Sequence, residues 1–265
     1  MPTLTPALAP IRPPNPIPRD ATPEQRREGR RIRRRWLGDT ADWAMSALAE
    51  EDRWRAFLWT AATHPTRPGI TNLALISVQA PGEIAWTYRQ WRTEARQVRR
   101  NEHGILIYTS LVGNGEDDED RPRLRGFGVG SLFTYAQTDP AEGTPAGPVE
   151  NPPGPPLART PEELHIATKA AMHDLGQHYD PDDPTEGPLR ALRALAQSKP
   201  LGPAEADAAA YLAALALDVP DPGPAPSPLP LDADDPAAVR EAAERVVTEG
   251  RAIAHQLAAL ALPPF

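Results

Sequence analysis

Residues 53–112 read RWRAFLWTAATHPTRPGITNLALISVQAPGEIAWTYRQWRTEARQVRRNEHGILIYTSLV, and this stretch decides the fold that we predict. Apolar residues recur at spacings of three and four in its first half, which indicates helices separated by prolines, the last at Pro81. Gly104 then begins an apolar, β-branched run that ends at Val112 and is typical of a strand. The change from a helical to a strand pattern predicts helices packed on a small sheet.

A partner for this strand follows after the next turn. The segment 113–125, GNGEDDEDRPRLR, combines turn residues with an acidic run and is typical of an exposed hairpin loop. Residues 126–138, GFGVGSLFTYAQT, return as a second strand pattern. Helical patterns over 187–198, 203–218 and 235–262 complete the chain. We therefore predict an α+β fold, with N-terminal helices on a small antiparallel sheet and a mostly α-helical C-terminal region.

Proline clusters and capping signals divide the chain into four predicted parts. Residues 1–21 form a disordered Pro-rich tail, and residues 139–159 form a Pro/Gly-rich linker. Between them, residues 22–138 form a domain that starts at the capping box of Thr22. Residues 160–265 form an acidic helical region that starts at a second capping box.

Charge is distributed unevenly along the 265 residues, whose net charge is −8. Residues 1–112 contain 17 Arg and 11 acidic residues, whereas residues 127–265 contain 8 basic and 20 acidic residues. A basic surface is therefore compatible with an acidic chain. The chain contains no cysteine, which excludes disulfides and thiolate metal sites. It has no apolar run of membrane length, so we expect a cytoplasmic protein without membrane partners.

The helix that Thr22 begins is rich in arginine on every face. Seven arginines lie between positions 26 and 35, with only Ile32 and Trp36 to bury. Either this helix contacts a polyanion, through residues such as Arg30 and Arg34, or it is a solvated arm. A further helix, capped by Asp39 or Thr40, is predicted to carry the apolar stripe that follows.

A second basic strip alternates with aromatic residues. Binding of a single nucleic-acid strand needs cations for the backbone and flat side chains on which unpaired bases stack. A helix predicted over 89–100 would align four of its arginines on one face. The alternative is that the tryptophans are core residues. The candidate side chains of this strip are Trp86, Tyr88, Arg89, Trp91, Arg92, Arg96, Arg99 and Arg100.

Asn72 is the remaining candidate of this region. It stands at the predicted start of a helix, NLALISVQ, where an asparagine is more often a cap than a ligand contact. We keep both interpretations.

The order of these features resembles the N-terminal domain of the antirestriction protein ArdC family. The features shared are Asn72 before an apolar helix, Gln79 with Pro81, the Tyr88-to-Trp91 pair, the QVRR turn into the strand, and the later strand that closes on Gln137-Thr138. The resemblance covers residues 53–138. It implies binding of single-stranded DNA without sequence preference.

Two positions depart from the family pattern. Where that pattern has glycine, this chain has Ala95 and Asn101. We expect Ala95 to continue the helix and Asn101 to keep the turn.

A candidate metal-binding motif lies in the C-terminal region, at His173-Asp174-Leu175-Gly176-Gln177-His178. The resemblance implies that this segment is a degenerate copy of a metallopeptidase HExxH helix. Gln177 replaces the second histidine, and His178 would lie about 140° around a helix from His173. Asp207 could correspond to the third metal ligand that the resemblance implies. We therefore expect no metal, no cofactor and no enzymatic activity.

The function that the sequence favours is sequence-nonspecific binding of single-stranded DNA. A DNA-protection role on a plasmid or phage is what the resemblance adds. Two alternatives stay open: a metal-dependent hydrolase or peptidase that uses the His173 segment, and a non-catalytic scaffold whose acidic half binds basic partners.

Overall fold

The computed structural model describes residues 11–18, 20–116, 122–142, 157, 159–177, 186–232 and 235–260. These residues form an α+β fold, as predicted. Their helices are α1 (Pro23–Ser46), α2 (Glu51–Thr63), α3 (Ile70–Gln79), α4 (Tyr88–Thr93), α5 (Pro161–Asp174), α6 (Glu186–Gln197), α7 (Pro203–Ala216) and α8 (Pro236–Leu260). Their strands are β1 (Ala85–Trp86), β2 (Arg96–Val98), β3 (Ile105–Glu116), β4 (Pro122–Thr134) and β5 (Thr138–Pro140). No helix in these residues is long and apolar enough to cross a membrane.

The predicted pair of strands forms an antiparallel ribbon that is longer than expected, because β3 and β4 extend into the predicted loop 113–125, to Glu116 and from Pro122. β3 pairs with β4 from Ile105 opposite Leu132 to Leu111 opposite Gly126, and the register shifts beyond that point. Gly126 has φ +129, a conformation that residues with a side chain rarely adopt, so glycine fits the irregularity. β1 extends the ribbon to a sheet of order β1-β4-β3, and β2 with β5 forms a second sheet.

Helix α3 covers the outer edge of β3. The Asn72 side chain donates to the Tyr108 carbonyl at 2.8 Å and accepts from the Tyr108 N–H at 2.9 Å. One strand repeat away, Gln79 makes the same pair of bonds with Leu106, both at 2.9 Å. These amides satisfy backbone groups that an edge strand would otherwise expose. The cap of α3 is Gly69, so the interpretation of Asn72 as a helix cap is wrong.

Helix α1 continues past the point where we predicted a second helix to begin. Thr22 and Gln25 form the predicted capping box at its start. Thr40 is buried inside the helix, so neither it nor Asp39 caps a new one. Leu37 packs on α3 and β3, and this burial stabilises α1 through the polar positions Asp39 and Thr40.

The N-terminal and C-terminal helices share one hydrophobic core. α2 packs on α7, α8 packs on α5 and α7, and residues from all of them belong to the same buried cluster. At Gly250, an added Cβ would lie 2.9 Å from the Ala209 carbonyl, which shows how closely α8 approaches α7. The hydrophobic core therefore includes residues from both sides of the predicted linker at 139–159.

The N-terminal segment is partly described. Residues 11–18 have no regular secondary structure, yet the Ile11 N–H donates to the Val78 carbonyl at 3.1 Å. Ile17 packs on Gly29 of α1, where an added Cβ would lie 2.8 Å from Ile17. This part of the predicted tail thus has a defined place on the fold, while residues 1–10 lie outside the described residues.

Candidate nucleic-acid interface

One face of α1 is a continuous row of exposed arginines. Spacings of three and four place five of them on the same side of the helix, because an α-helix repeats every 3.6 residues. Together they line a shallow groove of about 600 Å³ that ends at two carboxylates. The residues of this groove are Arg27, Arg30, Arg31, Arg34, Arg35, Gly38, Asp39 and Asp42. We call the five arginines the α1 arginine face.

The α1 arginine face retains most of its positive charge. In the described part of the chain, its ion pair is that of Arg31 with Glu28, at 2.9 Å. Both partners are exposed, and such a pair contributes little to stability. Arg33 points to the other side of the helix, where burial lowers its pKa. The groove therefore presents several guanidinium groups to solvent, which is the arrangement that a chain of phosphates requires.

The basic strip predicted over 89–100 is helical only as far as Thr93, so the expectation of one continuous helix is wrong. α4 ends at Thr93, and Ala95 has φ +52, in the left-handed region. An L-residue in that region cannot continue a right-handed helix. The chain instead turns into β2, where Arg96 is the first residue, and Arg99 and Arg100 follow after the strand ends at Val98.

Arg96 is buried, and the assignment of its side chain to a nucleic-acid surface is corrected. Its exposed fraction is 5%. Nε donates to Thr138 Oγ1 at 2.7 Å, Nη2 donates to the Thr138 carbonyl at 2.9 Å, and the guanidinium lies 4.0 Å from the ring centre of Tyr135. These contacts tie β2 to β5 and leave little of Arg96 for a ligand.

Arg99 is exposed but already paired. Its guanidinium contacts Glu102 at 2.9 Å and Asp139 at 3.3 Å, and it also donates to the Ala136 carbonyl. The hydrogen bond to Glu102 is the main reason that its pKa is raised. Two carboxylates balance its charge, so Arg99 adds less to a phosphate-binding surface than its exposure suggests.

Both tryptophans of the strip belong to the core, which corrects their assignment as stacking platforms. Trp91 has no exposed surface and Trp86 is 7% exposed. Their ring centres lie 4.6 Å apart, and the Trp91 indole N–H donates to the Phe133 carbonyl at 2.7 Å. The pair fastens α4 to the sheet through the packing area of both rings and the hydrogen bond of Trp91.

Besides the paired Arg99, the members of the strip that face solvent are Tyr88, Arg89, Arg92 and Arg100. Thr87 and Gln90 form a capping box that fixes the start of α4, and Tyr88 is the first residue of that helix with 44% of its surface exposed. Arg92 follows one turn later on the same side. This side presents a flat ring next to cations.

Sequence reasoning did not select Phe127, the most exposed large apolar residue of the described chain at 60%. It lies on β4 opposite Ser110, between two glycines. The flanking glycines were the available signal, because they provide no side chains to cover the ring.

The residual metal candidates of the C-terminal region do not lie on one helix. α5 ends at Asp174, and Gly176 adopts φ +65 while the Gln177 N–H donates to the Met172 carbonyl at 2.8 Å. This is a Schellman ending, which removes Gln177 from the helical face of His173. His178 lies outside the described residues. Asp207 is on α7, and among the described residues no three His, Asp or Glu side chains are grouped closely enough to hold a metal.

Comparisons with family models, with curated proteins and with solved structures found no match for this chain.

Proposed function

We propose that this protein binds nucleic acid without sequence preference, with single-stranded DNA as its preferred form. The observation that carries the proposal is the α1 arginine face, in which five exposed guanidinium groups line one groove. Contacts with phosphates depend on charge and carry no sequence information. Such a surface therefore supports binding to any sequence.

The preference for a single strand rests on the solvent-facing side of α4. Tyr88 offers an exposed ring beside Arg89 and Arg92, and unpaired bases stack on such rings. Phe127 offers a second exposed ring on the ribbon. Duplex DNA keeps its bases stacked on each other, so it would gain only the arginine contacts.

The backbone adds support to the resemblance with the ArdC N-terminal domain. Both positions where that pattern has glycine have a positive φ here, +52 at Ala95 and +67 at Asn101. Glycine is the residue that suits such a conformation, and asparagine tolerates it better than most. A DNA-protection role belongs to the same proposal.

The proposal is tested by fluorescence anisotropy with single-stranded and duplex oligonucleotides of one sequence, titrated with the full chain. We expect tighter binding to the single strand. Tyr88→Ala should weaken single-strand binding by about 1–3 kcal/mol, the usual contribution of one stacked base. Duplex affinity should stay unchanged.

Tyr88→Phe is the matched control, because it removes the hydroxyl and keeps the ring. Equal affinity for both forms of DNA, or equal loss in the Ala and Phe variants, would contradict a stacking role. Absence of binding to either form would refute the function itself.

A further inference from the structure

A second group of cations lies where α2 ends against α8, distant in sequence from the α1 arginine face. Arg251 and His255 stand one turn apart on α8. Arg251 donates Nε and Nη2 to the Ala61 carbonyl at 3.1 and 2.9 Å, and Arg67, in the turn after α2, donates Nη2 to Nε2 of His255. We call Arg67, Arg251 and His255 the α2–α8 basic cluster.

We propose that the α2–α8 basic cluster is a binding site for a phosphate group. Two guanidinium groups lie close together there without a carboxylate partner among the described residues, although Arg251 belongs to residues 127–265, where acidic residues outnumber basic ones by 20 to 8. A phosphate would supply a counter-charge and accept hydrogen bonds from the forked guanidinium donors.

The electrostatics of the cluster favour the binding of an anion. The pKa of Arg251 is lowered to about 10, first by burial and then by the charge of Arg67. Burial also lowers the pKa of His255, and the charges of Arg67 and Arg159 lower it further. Each of these neighbours is a cation, so the site is unfavourable for positive charge until an anion enters.

Hydrogen bonds to the end of α2 offset only part of this charge. The last carbonyls of a helix carry about half a negative charge, and Arg251 caps them through Ala61. Nη1 of Arg251, and Nε and Nη1 of Arg67, make no hydrogen bond within the described residues. These three donor atoms are the ones that we assign to the phosphate.

His255 of the cluster and the neighbouring His64 contribute no further charge near neutral pH. His255 accepts from Arg67, which requires the neutral ring and fixes the guanidinium. His64, at the end of α2, is 5% exposed, and burial is the main reason that its pKa falls to about 4. Its Nε2 has no hydrogen bond of normal geometry in the described residues, although the Ala85 carbonyl lies near enough to influence the ring.

The backbone at Arg67 is an independent reason to assign a role to its side chain. Arg67 has φ +47, in the region that favours glycine, and Gly69 is only two residues away. An arginine held in this conformation costs stability that glycine would not. The backbone conformation therefore does not account for an arginine at this position.

The decisive variant is Arg67→Gly in the full chain, since glycine suits the φ of this position and the fold is kept. Binding of inorganic phosphate is measured by isothermal titration calorimetry, and thermal unfolding is followed in sodium phosphate and in sodium chloride of equal ionic strength. We expect phosphate to raise the Tm of the wild-type chain more than chloride does. In Arg67→Gly this difference should disappear, and phosphate affinity should fall by about tenfold or more.

Arg190→Ala, an exposed arginine of α6, is the matched control and should keep the full phosphate response. The proposal is overturned if phosphate stabilises the wild-type chain no more than chloride, or if Arg67→Gly binds phosphate as well as the wild type.

Titration with oligothymidylate identifies the source of the phosphate group. Weaker binding of the oligonucleotide to Arg67→Gly assigns the site to the nucleic-acid backbone. Unchanged oligonucleotide binding, together with lost phosphate binding, assigns it to a free phosphorylated compound. The phosphate titration stands on its own even if the chain binds no DNA.

Discussion

Replacing Arg30 and Arg34 together by alanine tests the α1 arginine face directly. Both side chains are exposed, stand one turn apart and line the same groove. Neither has an ion pair with another described residue, and alanine has the highest helix propensity. The double variant should therefore keep α1 intact while it removes two cations from the groove.

The expected size of the effect follows from the number of arginines that line the groove. If each of the five binds one phosphate of a single strand, the slope of log K against log salt is about −3.5, since each contact contributes about −0.7. The double variant should have a slope of about −2.1. Between about 50 and 200 mM salt, affinity should then fall about 130-fold for the wild type and about 20-fold for the variant.

The assay is fluorescence anisotropy with labelled oligothymidylate over a series of salt concentrations. Lys169→Ala with Arg190→Ala is the matched control, because it removes the same charge from exposed positions on α5 and α6. A slope that stays the same in Arg30→Ala with Arg34→Ala would refute the reasoning. So would an equal change of slope in the control, which would make net charge rather than the groove responsible.

Three further predictions concern stability and are measured by urea unfolding. The pKa of His64 is about 4 in the fold and 6.5 when unfolded, so the unfolded chain takes up the proton first as pH falls. This difference should lower wild-type stability by about 3 kcal/mol from pH 6.5 to 4. The His64→Asn variant should lose this pH-dependent component, whereas His173→Asn, a change at an exposed position, should keep it. Gly250→Ala should destabilise by about 1–3 kcal/mol, because the new Cβ meets the Ala209 carbonyl. Trp91→Phe should cost about 1–3 kcal/mol through its lost indole hydrogen bond, with intrinsic DNA affinity unchanged.

Local signals in the sequence predicted the elements whose causes are local. The capping boxes at Thr22 and Thr160 set helix starts through residues three positions apart, and both are present. The β3–β4 ribbon follows from two strand patterns joined by a turn-rich segment, and the α+β class follows from these pieces. Each of these features requires only neighbours in the chain.

The errors have tertiary causes. Ala95 is a good helix former, and only contacts such as the hydrogen bond from the Ala141 N–H to its carbonyl at 2.8 Å reveal the turn. Asn72 is a residue type common at helix caps, yet its side chain bonds the Tyr108 backbone of β3 instead. The α2–α8 basic cluster joins Arg67 to His255, 188 positions apart, and no local pattern reports such a distance.

The two tryptophans show how a motif can be real and its interpretation still fail. Alternation of aromatic and basic residues fits a stacking surface, but it fits equally a short helix that buries one side against a sheet. Trp91 takes the buried side with its N–H satisfied, and Tyr88 takes the exposed side. The apolar area of an indole favours burial more strongly than that of a tyrosine, whose hydroxyl prefers water.

The acidic half of the chain affects how the salt titration is to be interpreted. At net charge −8, the long-range field repels DNA, while the α1 arginine face attracts it at contact. The Debye length is about 30 Å at 0.01 M salt and about 10 Å at 0.1 M, so added salt first weakens the repulsion and then the contacts. The measured wild-type slope should therefore be shallower than the number of contacts implies at low salt. The difference between variants is free of this effect when their net charge is equal, which is why the control on α5 and α6 decides the test.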